Sequence, residues 1–104
     1  MDLERVVGFD WDAGNARKND KHGVSQAEAE QVLFNFPLVV ADTVHSHGEP
    51  RYHALGTTDA GRLLHVTFTL RREKTLIRVI SARPASRKER AIHASIDENS
   101  EVQD

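Results

Sequence analysis

The segment Leu64–Arg71 alternates with a period of two: Val66, Phe68 and Leu70 point one way, and His65, Thr67, Thr69 and Arg71 point the other. A strand written this way needs one face buried and one face polar, so it belongs in a sheet covered mainly on one side. Glu73 and Lys74 then turn the chain into a second strand over 76–82, which predicts an antiparallel hairpin. The apolar face requires helices to cover it.

The N-terminal third supplies them. Val6–Trp11 reads as a short first strand, and Asp12 stands where an N-cap belongs, ahead of a polar helix over 13–22. Gly23 suits the left-handed residue that follows a helix. Ser25 and Glu28 form an S-x-x-E capping box for a second helix, with Ala29, Val32, Leu33 and Phe34 as its apolar side and Pro37 as its stop. Leu38–Ala41 and Tyr52–Thr57 read as further strands, separated by a polar loop over 43–50. Ser86 and Glu89 repeat the capping box at the start of a short basic helix. The expected architecture is α+β, ordered β-α-α-β-β-β-β-α, with a curved antiparallel sheet and two helices on one face. One domain is expected over 1–93, followed by an acidic tail over 94–104 that lacks apolar periodicity and should fray.

Charge is segregated. The net charge of −2 over 104 residues hides a band from Arg62 to Arg90 with nine Lys and Arg against two Asp and Glu. Acidic segments flank it on both sides, which is the footprint of a local anion site rather than of a protein that coats DNA. The absence of cysteine excludes disulfides and thiolate metal sites, and an intracellular, cytoplasmic address is expected. No apolar run approaches the ~20 residues of a membrane span.

Arginines near the Arg83-Pro84 corner are fixed by a strand and a helix, so Arg71, Arg78, Arg83, Arg87 and Arg90 are candidates for clamping a phosphate. The competing expectation pairs Arg78 and Arg87 with Glu28, Glu30 or Glu89 as surface salt bridges. Among the six histidines, His65 lies on the polar strand face, where it suits either proton transfer or a hydrogen-bonded role in the sheet. His22 precedes Gly23, where a cation also complements the helix dipole. His45 and His47, with Asp42, Glu49 and His53 nearby, form a weak metal pattern, and no metal or other cofactor is expected. Glycine-rich phosphate loops, G-x-S-x-G elbows and H-E-x-x-H pairs are absent from the sequence. Base-stacking aromatics are scarce, Tyr52 being the only tyrosine.

Several segments together resemble one family. They are Phe9-Asp-Trp-Asp12, Lys21-His-Gly-Val-Ser25, Arg51-Tyr-His-Ala-Leu-Gly56, Leu63-Leu-His-Val-Thr-Phe-Thr69, Ile77-Arg-Val-Ile-Ser-Ala-Arg83 and Ser86-Arg-Lys-Glu-Arg90. Their ordered set over about 8–93 is similar to the BrnT toxins of type II toxin–antitoxin systems. The resemblance implies a RelE-like fold and a small metal-independent endoribonuclease that arrests translation. It implies as partner a BrnA-like ribbon-helix-helix antitoxin, through which alone the pair would bind operator DNA. Arg71, Arg83 and Arg87 match the family's arginines and are expected to hold the scissile phosphate, with His65 or His22 moving the proton. Arg78, Lys88, Arg90 and Tyr52 are expected to contact the RNA. Two positions depart from the family: His93 replaces a common aromatic, and Asp20 stands near a usual tryptophan or lysine. The alternative is a non-catalytic module whose basic band docks an acidic protein or RNA; no obvious base–nucleophile pair in the sequence favours catalysis over it.

Overall fold

The computed structural model describes residues 3–44 and 48–102, with side chains described except at 18–20 and 97–102. The elements run β1 (Gly8–Phe9), α1 (Ala13–Asp20), α2 (Gln26–Phe34), β2 (Leu38–Asp42), β3 (Arg51–Thr57), β4 (Leu63–Arg71), β5 (Leu76–Pro84) and α3 (Arg87–Val102). This is the expected α+β order. Among the described residues, no helix is long and apolar enough to cross a membrane.

The five strands form one sheet in the order β1-β5-β4-β3-β2. Strands β2 to β5 are antiparallel, but β1 pairs in parallel with β5, so the sheet is mixed rather than wholly antiparallel. β1 is also shorter than its alternation suggested. After Phe9 the chain bonds once more to β5, through Asp10 N–H to the Ile77 carbonyl, and then leaves the sheet because Asp12 caps α1. The Asp12 Oδ1 accepts from the Gly14 and Asn15 N–H groups at 2.9 and 3.1 Å. Asn15 in turn is buried and donates to the carbonyls of Asp10 and Val79, tying α1 to β5.

The period-two prediction for β4 holds where it matters. Leu64, Val66 and Phe68 are wholly buried, and they pack with Val79 and Ala82 of β5 and Ala29 and Val32 of α2. The register carries one irregularity. Thr67 pairs with Ser81 but Phe68 pairs with Val79, so Ile80 is an extra residue in β5. That bulge resets the phase of the strand. Arg78 and Arg83, five residues apart, would face opposite sides of a regular strand; here they sit beside Thr69 and His65, on one face.

Several details differ from the sequence expectation. Phe34, expected in the core, is 66% exposed at the last residue of α2, with its ring in edge contact with Phe9 at 5.6 Å. α1 stops at Asp20, leaving His22 in the turn before Gly23, which takes a φ of 69°. The sheet face opposite α1 and α2 is less open than its polarity suggested: Thr67 and Thr69 are buried, and Thr69 Oγ1 donates to the Pro50 carbonyl at 2.6 Å. α3 runs from Arg87 to Val102, so its helix takes in most of the acidic tail. Its capped start and the i, i+4 pair Ile92 and Ile96 give it an ordered first turn and an apolar stripe.

Ser25 caps α2 as read, its Oγ accepting from Glu28 N–H at 3.1 Å while Glu28 Oε1 accepts from Ser25 N–H at 3.0 Å. Ser25→Ala is expected to lower stability by about 1 kcal/mol. A melting temperature equal to that of the parent chain would show that the cap is immaterial.

Candidate active site

β5 ends at Pro84, and the Ala85 N–H bonds back to the Leu63 carbonyl, so the chain turns sharply away from the sheet. The second capping box starts α3 there. Ser86 Oγ accepts from Glu89 N–H at 3.2 Å, and Glu89 Oε1 accepts from Ser86 N–H at 2.8 Å. The box fixes the Glu89 carboxylate directly beside the strand end. Arg83 then donates to both its oxygens, Nη1 at 2.8 Å and Nη2 at 2.9 Å. A third donor goes to the Pro84 carbonyl at 3.2 Å. Of the five N–H donors of a guanidinium, the Nε–H and one Nη2–H are left without a partner among the described residues. They form the side-on fork that suits a phosphate.

His65 lies opposite Arg83 in the β4–β5 register. Its side chain is 14% exposed, its Nε2 is 4.0 Å from Glu89 Oε2, and its buried Nδ1 has no hydrogen-bond partner. Burial pushes the imidazole below its ordinary pKa, and the Arg83 charge reinforces this against the opposing pull of Glu89. The ring is therefore neutral near pH 7 and able to accept a proton. Glu89 is held down to about 2, chiefly by the Arg83 hydrogen bonds, with burial working against them.

Both depressed values carry the same sign for stability. A group whose pKa is lowered on folding contributes stability above its unfolded value and loses it as pH falls through the folded one. Acid should thus weaken the fold twice, first as His65 is forced to ionise below its unfolded value of about 6.5, then between about 4.5 and about 2 as Glu89 protonates. Glu89→Gln should flatten the lower part of a pH–melting curve. An unchanged slope below pH 4.5 would mean that the Arg83–Glu89 pair does not stabilise the fold.

Next to His65 on the same face is His53 of β3, ring centroids 5.0 Å apart. Its Nε2 is 2.8 Å from Asp42 Oδ2 and its Nδ1 is 3.1 Å from Thr67 Oγ1. These groups border a groove of about 280 Å³ between α3 and strands β2 and β3, walled by Leu38, Val40, Leu55 and Ile92. The arrangement offers an imidazole and an apolar wall in one cleft, with the Arg83 guanidinium held beside it by Glu89.

The other expected site residues are divided by the fold. Arg71 is six residues from His65 along β4, about 20 Å at the usual strand rise. It pairs with Glu49 at 3.1 Å and borders a second, polar cleft with Arg51, Thr69 and Arg78. Arg78 is held by Asp12 at 2.9 Å and Asp10 at 3.5 Å rather than by the glutamates considered from sequence. Arg71 and Arg83 therefore do not converge on one phosphate. Arg87, Lys88 and Arg90 are exposed on the first turn of α3, with no ion pair among the described residues. Tyr52 stacks on Phe68 at 5.5 Å and belongs to the core side, because its strand parity matches Ala54 and not His53. His22 is exposed in the turn between α1 and α2, which pack on the opposite sheet face. The loop histidines His45 and His47 lie outside the described residues, and among the described residues no group of three His, Asp or Glu could hold a metal ion. Sequence reasoning treated Glu89 only as a cap or surface partner; its place at the box's fourth position, six residues after a strand-end arginine, was the signal that joined them.

The family model for a ribonuclease toxin, BrnT, of type II toxin–antitoxin systems matches residues 11–89. Among solved structures, the crystal structure of the Brucella abortus ribonuclease toxin BrnT is similar at a TM-score of 0.59 and 26% sequence identity, covering 79% of this chain and 100% of that one. No curated protein sequence matches.

Proposed function

Because the chain belongs to the BrnT family of ribonuclease toxins of type II toxin–antitoxin systems, we propose that it is a metal-independent endoribonuclease centred on His65 and Arg83. The observation that carries this reading is the partly exposed His65 ring, its Nε2 4.0 Å from Glu89, beside a guanidinium whose outer fork has no partner among the described residues. His65 takes the proton of an RNA 2′-hydroxyl. The 2′-oxygen bonds to the adjacent phosphorus, the bond from phosphorus to the 5′-oxygen breaks, and that oxygen takes a proton from solvent. Arg83 faces the charge that grows on the phosphoryl oxygens, which a fixed donor stabilises most in a partly dry site. Glu89 keeps the guanidinium in position. Arg87, Lys88 and Arg90 provide a sequence-independent track for the backbone, and the Arg51–Arg71–Arg78 cleft contacts phosphates several nucleotides away.

RNA cleavage of this kind stops translation, and the antitoxin, expected to be of the BrnA-like ribbon-helix-helix type, neutralises it. The exposed Leu38, Val40 and Ile92 around the groove support a protein cover over the same face. A cytoplasmic address follows from an RNA target.

One observation favours the non-catalytic alternative: the Arg83 charge is already compensated by Glu89. The test is incubation of the purified chain with a defined RNA, with and without chelator. The expected products carry a 2′,3′-cyclic phosphate and a 5′-hydroxyl, at the same rate in chelator. Binding without cleavage would support the alternative, and a 5′-phosphate product would exclude His65 as a 2′-hydroxyl base.

A further inference from the structure

We propose that His53, pinned by Asp42 and Thr67, is the positioning residue that orients the His65 ring, an inference that rests on the ribonuclease reading of His65. The three groups come from three neighbouring strands. The register sets His53 of β3 opposite Thr67 of β4, and Asp42 at the end of β2 reaches His53 from the other side. An ionised carboxylate can only accept, so His53 Nε2 donates to Asp42, while Nδ1 meets the Thr67 hydroxyl at 3.1 Å. Both ring nitrogens are thereby committed. The Asp42 side chain is only 9% exposed and Thr67 is buried, so both anchors are largely shielded from water. A fully satisfied chain in such surroundings is stiff.

His65 is the opposite case. Its Nδ1 has no partner, and its Nε2 stands beyond hydrogen-bond distance of the nearest carboxylate. No side chain among the described residues fixes the ring through a hydrogen bond. It is fixed instead through its face: the His53 ring lies 5.0 Å away at an interplanar angle of 31°, in the diagonal relation available to side chains on paired strands. A proton acceptor must point at the 2′-hydroxyl, and small misplacements are costly in rate. The Asp42–His53–Thr67 chain supplies the rigidity that His65 lacks.

The test compares His53→Ala, which removes the ring, with His53→Phe, which keeps a ring face without hydrogen bonds. Each is measured by RNA cleavage, by thermal melting and by NMR of the His65 imidazole, assigned by its loss in His65→Ala. His53→Ala should lower kcat by about 30-fold with KM within about twofold, the scale of a small misplacement. It should also broaden or split the His65 ring resonances. His53→Phe should recover most of the rate and a single set of resonances despite a lower melting temperature. If His53→Ala does not fold, Thr67→Val carries the test, with a smaller loss of rate and the same broadening expected. His65 resonances indifferent to His53, or a His53→Phe variant no faster than His53→Ala, would overturn the proposal. A parent chain that cuts no RNA would sink the ribonuclease reading instead, while the resonances still decide whether His53 orders His65.

Discussion

Replacing His65 with alanine is expected to lower the rate of RNA cleavage by about a thousandfold, the usual worth of a positioned general base. The fold should not suffer. The side chain carries a buried nitrogen without a partner, and burial already depresses its pKa, so its removal relieves a polar group held away from water. A melting temperature equal to or above that of the parent, together with lost cleavage, is the expected pair of results. The parent's rate should fall on the acid side as His65 takes up a proton, with a midpoint below the ordinary histidine value, and this limb should vanish in the variant. Cleavage within about fivefold of the parent would remove His65 from the chemistry.

Arg83→Ala should be nearly as damaging. Loss of one fixed donor at a phosphoryl transition state costs on the order of 3 kcal/mol, or 100-fold and more in rate. Arg83→Lys should recover only part of it, because an ammonium keeps the charge and loses the fork shared between Glu89 and the phosphate. A second effect distinguishes this arginine from an ordinary surface pair. Arg83 lowers the His65 pKa and Glu89 raises it, so removing Arg83 leaves the carboxylate unopposed and moves the acid limb of any residual activity to higher pH. A partly exposed ion pair by itself contributes about 1 kcal/mol or less to stability, so melting should change little. Growth arrest on induction, read beside melting, separates the two roles: a variant that melts normally and still arrests growth would exclude Arg83.

The candidate site was half legible in the chain. His65 stood out because strict alternation in β4 assigned it to the polar face, and Arg83 because a proline corner followed it. Both assignments need only local periodicity and turn chemistry. Grouping Arg71 with Arg83 failed for a geometric reason: a hairpin pairs turn end with turn end and open end with open end, so Arg71 at the turn faces Leu76 while Arg83 at the open end faces His65. Tyr52 was placed at the RNA for want of a strand parity; its neighbour His53 has the face that Tyr52 was expected to have.

What the sequence determined by itself is everything that depends on neighbours within about four residues. The two S-x-x-E boxes, the Asp12 cap, the left-handed Gly23 and the core-facing set Leu64, Val66 and Phe68 of β4 all follow from local hydrogen-bond needs and from a side-chain period that no distant contact alters. The tertiary structure decided which of the polar groups meet. The extra residue at Ile80 turns Arg78 and Arg83 to the same face, and the β2–β3–β4 register assembles Asp42, His53 and Thr67 from positions 25 residues apart at their extremes. The parallel pairing of β1 brings Asp10 and Asp12 to Arg78, four residues along β4 from the pair that Glu89 adjoins. A bulge and a strand register are set by how whole faces pack, and that long-range choice is what separates the Arg83–Glu89–His65 group from the other cations of the basic band.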